Sequence, residues 1–200
     1  ICGNVDTATI TNTVAALGHD YPAEYSTDEN GFRNYTCTRC EEIKTDYTCY
    51  IDLTNETVSV PSAAAFGKSS TNSTEINDKL DLTPTDLTVS YEIIGEAENL
   101  TIDVNADRDV EVRLNGVTIT NDSMDCIDIK NKSTAVDNMG NPVTPEVSVS
   151  AISGSENFLT ATTSGNAIEN NCELTLKGHG SLTVRTSSTS ISSEGKINIK

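Results

Sequence analysis

Four residues near the N-terminus carry side chains that bind soft or borderline metal ions: Cys2, His19, Cys37 and Cys40. The Cys-x-x-Cys spacing of the last two places two thiolates on one turn, a geometry that zinc accepts in a tetrahedral site. The intervals that separate His19 from Cys2 and from Cys37 match no tight zinc template. The sequence therefore leaves three alternatives open: a zinc site, disulfide bonds, or reduced thiols.

Two groups of aspartates in the C-terminal half offer oxygen ligands, which calcium prefers. They are Asp103, Asp107 and Asp109, followed by Asp122, Asp125 and Asp128. If the chain forms stacked coils, carboxylates at the turns of adjacent coils can share a calcium ion. The alternative is an acidic surface that is simply solvated and keeps the protein in solution.

If the chain forms stacked coils, the catalytic hypothesis is a calcium-dependent polysaccharide lyase, by analogy with parallel β-helices that host this chemistry. A lyase needs carboxylates that bind calcium beside an Arg or Lys that removes a proton. Arg113 and Arg185 lie at outward positions of alternating segments, and His179 lies between two glycines. No group of aspartates stacks with an arginine within one repeat. We therefore expect a protein that is not an enzyme.

The composition predicts an all-β protein, because Thr, Val and Ile favour strands. The chain has 200 residues, with 13 Lys and Arg against 30 Asp and Glu, a net charge of −17 and no Trp. Such an excess of negative charge excludes nucleic acid and anionic membrane surfaces as partners. No stretch approaches the ~18 apolar residues that span a bilayer, so we expect no membrane insertion.

Short alternating apolar segments recur in the C-terminal half. They begin at Val110, Val147, Leu174 and Ile197, at intervals of 37, 27 and 23 residues, with an insertion from Asn131 to Pro145 in the first interval. A repeat of this length built of short strands is typical of a solenoid, because stacked coils bury one continuous core. We predict a parallel β-helix, with an antiparallel sandwich as the alternative. By its phase, Phe158 is predicted to pack inward.

Composition also suggests three segments. Residues 1–53 hold four of the six cysteines, and residues 54–86 are rich in Ser, Thr and Asn. We expect a small Cys/His module, then a polar linker or N-terminal cap, and then the β-helix over residues 87–200. The last predicted strand leaves an open edge, through which copies of the chain could associate.

Four stretches of the C-terminal segment carry a family resemblance: Leu100–Ile119, Ile152–Thr160, Asn166–Ile168 and Leu174–Val184. Through them the segment resembles the β-helix carbohydrate-binding domain family of cellulosome-associated and other surface proteins of anaerobic bacteria. The resemblance implies a right-handed parallel β-helix that binds polysaccharide, with bound calcium and no catalysis.

The N-terminal segment is similar to small Cys/His repeats in surface proteins of Gram-positive gut bacteria, through Leu17–Tyr21 and Gly31–Cys40. This implies a spacer module. Together the two resemblances predict a secreted protein of the bacterial cell surface that binds a plant or cell-wall polysaccharide. A structural or adhesive surface protein that polymerises through the β-helix ends is the second hypothesis, and the lyase is the third.

Overall fold

The computed structural model describes residues 18–71 and 75–200, and Cys2 lies outside them. The regular elements of the described residues are strands. They are β1 (Ser26–Thr27), β2 (Arg33–Thr36), β3 (Ile43–Asp46), β4 (Thr48–Asp52), β5 (Thr57–Val58), β6 (Ala64–Thr71), β7 (Glu75–Leu82), β8 (Ser90–Glu98), β9 (Leu100–Ala106), β10 (Val110–Asn121), β11 (Ile127–Asn131), β12 (Glu146–Ala151), β13 (Glu156–Ala161), β14 (Ile168–Asn170), β15 (Glu173–Gly178), β16 (Ser181–Thr186), β17 (Ile191–Ser193) and β18 (Ile197–Ile199). No helix in this part of the chain is long and apolar enough to cross a membrane. The prediction of an all-β protein is confirmed.

Most strands belong to two sheets that the chain visits in alternation. In the nine-stranded sheet, β4, β8, β10, β12, β15 and β18 pair in parallel, β13 and β16 continue the pairing beside β10, and β5 adds an antiparallel strand to β4. In the six-stranded sheet, β7, β9, β11, β14 and β17 pair in parallel, and β6 is antiparallel to β7. Both sheets are therefore mixed.

The alternating sequence pattern explains where the core lies. In β10, Val110, Val112 and Leu114 are buried, while Glu111 and Arg113 between them are partly exposed. In the six-stranded sheet, strands β9 and β11 contribute further buried side chains to the same apolar cluster. Strand alternation thus provides one apolar face for each sheet.

Three buried asparagines complete the interior at the ends or starts of strands, where backbone groups would otherwise lack partners. The amide of Asn121 donates to the carbonyl oxygens of Leu100 and Asp125 at 2.9 and 2.8 Å. Asn157 accepts from the backbone N–H of Val117 at 2.9 Å, and Asn170 lies in β14. These contacts join successive passes of the chain.

The N-terminal part forms a separate three-stranded antiparallel sheet in the order β1-β2-β3. Phe32, just before β2, is buried and belongs to the main apolar cluster. Residues 54–86, predicted as a linker or cap, contain β5, β6 and β7, and β7 pairs with β9 from Asp78 to Leu82. The predicted domain boundaries stay predictions.

The prediction for Phe158 is wrong. In β13 the buried residues are Asn157 and Leu159, and Phe158 is half-buried on the opposite face, beside Thr118 and Thr183. The side chain that enters the core before Leu159 is therefore an asparagine, which hydrogen-bonds the backbone of Val117 in β10.

Candidate functional site

Four acidic residues align across neighbouring strands of the six-stranded sheet. Asp81 of β7 pairs with Asp103 of β9, Asp103 with Asp128 of β11, and Asp128 with Glu169 of β14. We call these four residues the acidic column. Adjacent strands lie about 4.8 Å apart, so the three intervals of the column span about 14 Å on the outer face of the sheet.

Two lysines neutralise the centre of the acidic column. The ammonium groups of Lys79 and Lys130 lie 2.5 and 2.6 Å from the carboxylate of Asp103, which is 4% exposed. Lys79 also contacts Asp81 at 2.7 Å, and Lys130 contacts Asp128 at 3.0 Å. Each lysine therefore bridges carboxylates on two neighbouring strands.

Electrostatics around these lysines favour their charged forms. Burial alone would lower the pKa of Lys79 and of Lys130, but hydrogen bonds to the carboxylates of Asp103, Asp81 and Asp128 raise both pKa values above the usual range. The two ammonium groups therefore remain protonated and available as donors through the physiological range.

The lysines and aspartates line a groove with a volume of about 470 Å³, which we call the charged groove. Its wall is completed by the turns that follow β10 and β13. The lining residues are Lys79, Thr101, Asp103, Ser123, Met124, Asp125, Asp128, Lys130, Ser164, Gly165 and Asn166. The groove therefore presents carboxylates, ammonium groups, hydroxyls and an amide, and more of its lining is polar than apolar.

Asp125 lies on one wall of the charged groove and accepts a hydrogen bond from the backbone N–H of Asn166 at 2.6 Å. Burial raises the pKa of the Asp125 carboxyl, with smaller contributions from the charges of Asp128, Glu169 and Asp103. The side-chain amide of Asn166 donates to Glu169 at 2.8 Å. Asp125 and Asn166 thus connect the turn to the acidic column.

The structure separates the six aspartates that the sequence suggested as calcium ligands. Asp103, Asp125 and Asp128 line the charged groove, and the other three do not. Asp107 forms an ion pair with Arg108 at 2.9 Å. Asp109 accepts from the backbone N–H of Glu146 at 2.8 Å, and Asp122 accepts from the Thr162 hydroxyl at 3.1 Å.

Three of the four predicted zinc ligands come together in the N-terminal module. Within the described ranges, His19, Cys37 and Cys40 form the one group of three potential metal ligands that lie close together. Their ligand atoms all lie within 4.8 Å of one another. Neither cysteine forms a disulfide with another cysteine of the described residues. Hydrogen bonds from the backbone N–H groups of Arg39 and Asp20 lower the pKa of Cys37 to about 6.

Residues 78–200 match the model of a family described as "Carbohydrate-binding domain-containing protein". The chain belongs to this family. The matched region contains the charged groove, and it begins at Asp78, next to Lys79 of β7. Family membership supports carbohydrate binding as the general function and suggests a role without catalysis. Neither the curated proteins nor the solved structures provide a significant match.

Sequence reasoning missed Lys79, Asp81, Lys130 and Asn166. The first two lie in the segment that we interpreted as a linker or cap, although Lys79-Leu80-Asp81-Leu82 alternates polar and apolar residues as a half-buried strand does. That alternation was the available signal. Nothing in the linear sequence indicates that Lys130 contacts Asp103, because the contact depends on strand register.

The residues of the lyase hypothesis lie elsewhere. Arg113 belongs to β10 of the nine-stranded sheet and donates to the hydroxyls of Thr48 and Ser90 at 2.8 and 2.7 Å. Arg185 lies in β16 of the same sheet. None of the residues that line the charged groove is an arginine or a histidine.

Proposed function

We propose that this protein binds an uncharged polysaccharide, without cleaving it, along the charged groove of the six-stranded sheet. The observation that carries the proposal is the acidic column with its two bridging lysines, which lies inside the region matched by the carbohydrate-binding family. The column provides a row of polar groups that crosses the strands instead of following one of them.

The chemistry of the groove is suited to sugar hydroxyls. A hydroxyl group both donates and accepts hydrogen bonds. The carboxylates of Asp125 and Asp128 accept, and the ammonium groups of Lys79 and Lys130 donate. Hydrogen bonds that involve a charged group are about twice as strong as neutral ones. Alternating acceptors and donors therefore favour a ligand that carries many hydroxyls at short spacing.

The charge of the groove argues for a neutral ligand. Three aspartates and two lysines line it, so it carries a small negative charge. A polyuronate would be repelled unless a cation bridged it to the protein. None of the lining residues is aromatic, so sugar rings do not stack there, and binding depends on hydrogen bonds.

We also propose that the parallel ladders are successive coils of a right-handed parallel β-helix. The support is that the chain alternates between two sheets whose strands pair in parallel with strands one coil away. Parallel crossovers are right-handed in about 98% of cases. In such a fold the acidic column runs along the helix axis, and a polysaccharide in the groove would lie parallel to that axis.

The setting that we propose is the surface of a bacterium, after secretion. This extends the resemblance of both segments to bacterial surface proteins. A non-catalytic binding module in that setting would hold the cell or its enzymes near a plant or cell-wall polysaccharide.

Binding measurements test the function. The purified chain is titrated with soluble neutral β-glucan, xylan and mannan, and with polygalacturonate in the presence of calcium or chelator. We expect binding to a neutral polysaccharide that does not depend on calcium. Failure to bind any of the neutral polysaccharides would contradict the proposal.

A matched pair of variants tests the groove. Lys130→Gln removes a lysine that contacts groove carboxylates, whereas Lys177→Gln removes a similarly exposed lysine that contacts Glu111 on the other sheet. We expect Lys130→Gln to weaken binding at least tenfold and Lys177→Gln to leave it unchanged. Equal affinities for the two variants would place binding outside the groove.

A further inference from the structure

We propose that His19, Cys37 and Cys40 hold a structural zinc ion, with Nδ1 of His19 and the two sulfur atoms as ligands. This site lies in the N-terminal module, outside the region matched by the carbohydrate-binding family, and it is independent of the charged groove. The proposal concerns the folding of the module, so it does not depend on the proposed function.

The positions of the ligand atoms agree with a zinc site. In a tetrahedral site with Zn–S bonds of about 2.3 Å, neighbouring ligand atoms lie roughly 3.3–3.8 Å apart. Nδ1 of His19 and Sγ of Cys40 lie 3.2 Å apart, and all three ligand atoms lie within 4.8 Å of one another. Only small shifts are needed for the three to share one ion.

The backbone brings the histidine to the cysteines without help from the ion. The N–H of Thr38 donates to the carbonyl oxygen of Asp20 at 3.0 Å, so the chain next to His19 is joined to the Cys-x-x-Cys turn. The N–H groups of Asp20 and Arg39 each lie 3.4 Å from Sγ of Cys37. Such N–H to sulfur contacts stabilise a thiolate, which is the form that binds metal.

A carboxylate orients the histidine. Oε2 of Glu42 lies 3.3 Å from Nε2 of His19, the ring nitrogen that faces away from the cysteines. Metal-bound histidines commonly donate their other ring N–H to a carboxylate, which selects the tautomer and orients the ring. Glu42 on one side of the ring thus leaves Nδ1 of His19 directed at the sulfurs.

The module has a small core of its own. Within residues 18–47, Phe32 and Cys37 are the buried side chains, and Phe32 packs into the main apolar cluster. A bound metal ion would add to this packing, as it does in other small modules. The ligands are two thiolates and an imidazole, a set that suits zinc and does not suit calcium or magnesium.

Zinc usually has a fourth ligand in structural sites. The sequence predicts Cys2 for that position, and Cys2 lies outside the described residues. The carboxylate of Asp20 is engaged by the hydroxyl of Thr38 at 3.2 Å and by Arg39 at 3.8 Å. His19, Cys37 and Cys40 are the three ligands that the structure brings together.

The test begins with the unsubstituted chain, purified under reducing conditions and reconstituted with zinc. Elemental analysis after gel filtration should give about one zinc ion per chain. Replacement by cobalt should produce the thiolate charge-transfer absorption and the intense visible bands of a tetrahedral sulfur site. Absence of stoichiometric zinc, or a cobalt spectrum without thiolate bands, would overturn the proposal.

Variants locate the ion. His19→Ala and Cys40→Ser should lose the zinc, and His179→Ala, which replaces the other histidine of the chain, should retain it. Retention of zinc by both His19→Ala and Cys40→Ser would also overturn the proposal. If a variant does not fold, the cobalt spectrum of the unsubstituted chain still decides the question.

Discussion

Nε2 of His19 lies 3.3 Å from the carboxylate of Glu42, while Nδ1 of the same ring lies 3.2 Å from the sulfur of Cys40. The imidazole therefore lies between a carboxylate on one side and a thiol sulfur on the other. The same ring stacks on Tyr21, with ring centroids 5.7 Å apart. These contacts orient the histidine before any ion is bound.

Glu42→Gln should weaken zinc binding ten- to a hundredfold, because loss of the carboxylate partner makes the imidazole a poorer ligand. Competition with a chromophoric chelator measures the change in zinc affinity. The control is Glu41→Gln, which removes the neighbouring exposed carboxylate. Glu42→Asp should recover part of the affinity. Equal effects of the Glu41 and Glu42 substitutions would indicate a general effect of charge.

Replacing Asp103 by Asn should lower the free energy of unfolding by about 1–3 kcal/mol, because it removes a buried charge that faces two lysines. Urea unfolding measures the difference. Asp86→Asn is the control, since Asp86 forms an exposed ion pair with Arg108 at 2.7 Å and such pairs contribute at most about 1 kcal/mol. If both variants lose the same free energy of unfolding, Asp103 and its two lysines contribute no more to stability than an exposed ion pair does.

The pH dependence of stability should reveal the raised pKa of Asp125. An acid whose pKa is higher in the folded state binds protons more readily when folded, so its contribution falls as the pH rises from its usual pKa near 4 through the raised value. Asp125→Asn keeps an oxygen that accepts from Asn166 and has no such dependence. We therefore expect the stability of the unsubstituted chain to decline relative to the variant as the pH rises above about 4. Parallel stability curves would contradict this.

Thermal unfolding distinguishes the two alternatives for the six aspartates, a calcium site and a solvated acidic surface. Lys79 and Lys130 already neutralise Asp103, and Asp107, Asp109 and Asp122 have other partners, so we expect Tm to be the same in calcium and in chelator. A ligand at a hundredfold excess over its Kd would stabilise the protein by about 2.7 kcal/mol. A clear increase of Tm in calcium would support the calcium site instead.

Self-association through the nine-stranded sheet can be tested at β18, its outermost strand, where Ile197 and Ile199 are 41% and 80% exposed. If the strand edge pairs between copies, the apparent mass in sedimentation should grow with concentration, and Ile199→Lys should suppress the growth. Val136→Lys, in the loop between β11 and β12, is the control. A constant monomer mass would exclude the structural or adhesive function that depends on polymerisation through the sheet edge.

Some features of the protein could be predicted from local sequence because they depend on local chemistry. The abundance of β-branched residues determined the all-β class, and alternation identified Val110, Val112 and Leu114 as core residues. The insertion from Asn131 to Pro145 connects β11 to β12 as expected. Phe158 and Leu159 are adjacent in β13, however, so alternation admits only one of them to the core, and the local pattern does not show that it is Leu159.

The sequence by itself thus determined the strand class, the recurring segments, the family resemblance and the candidate ligands in the N-terminal module. Only the tertiary structure decided which polar groups meet. The charged groove depends on the register between β7, β9 and β11, because a shift of one residue would turn Asp103 to the other face. The pairing of His19 with Glu42 and Cys40 depends on a fold that joins residues 21 or more positions apart, and local pattern contains no record of such contacts.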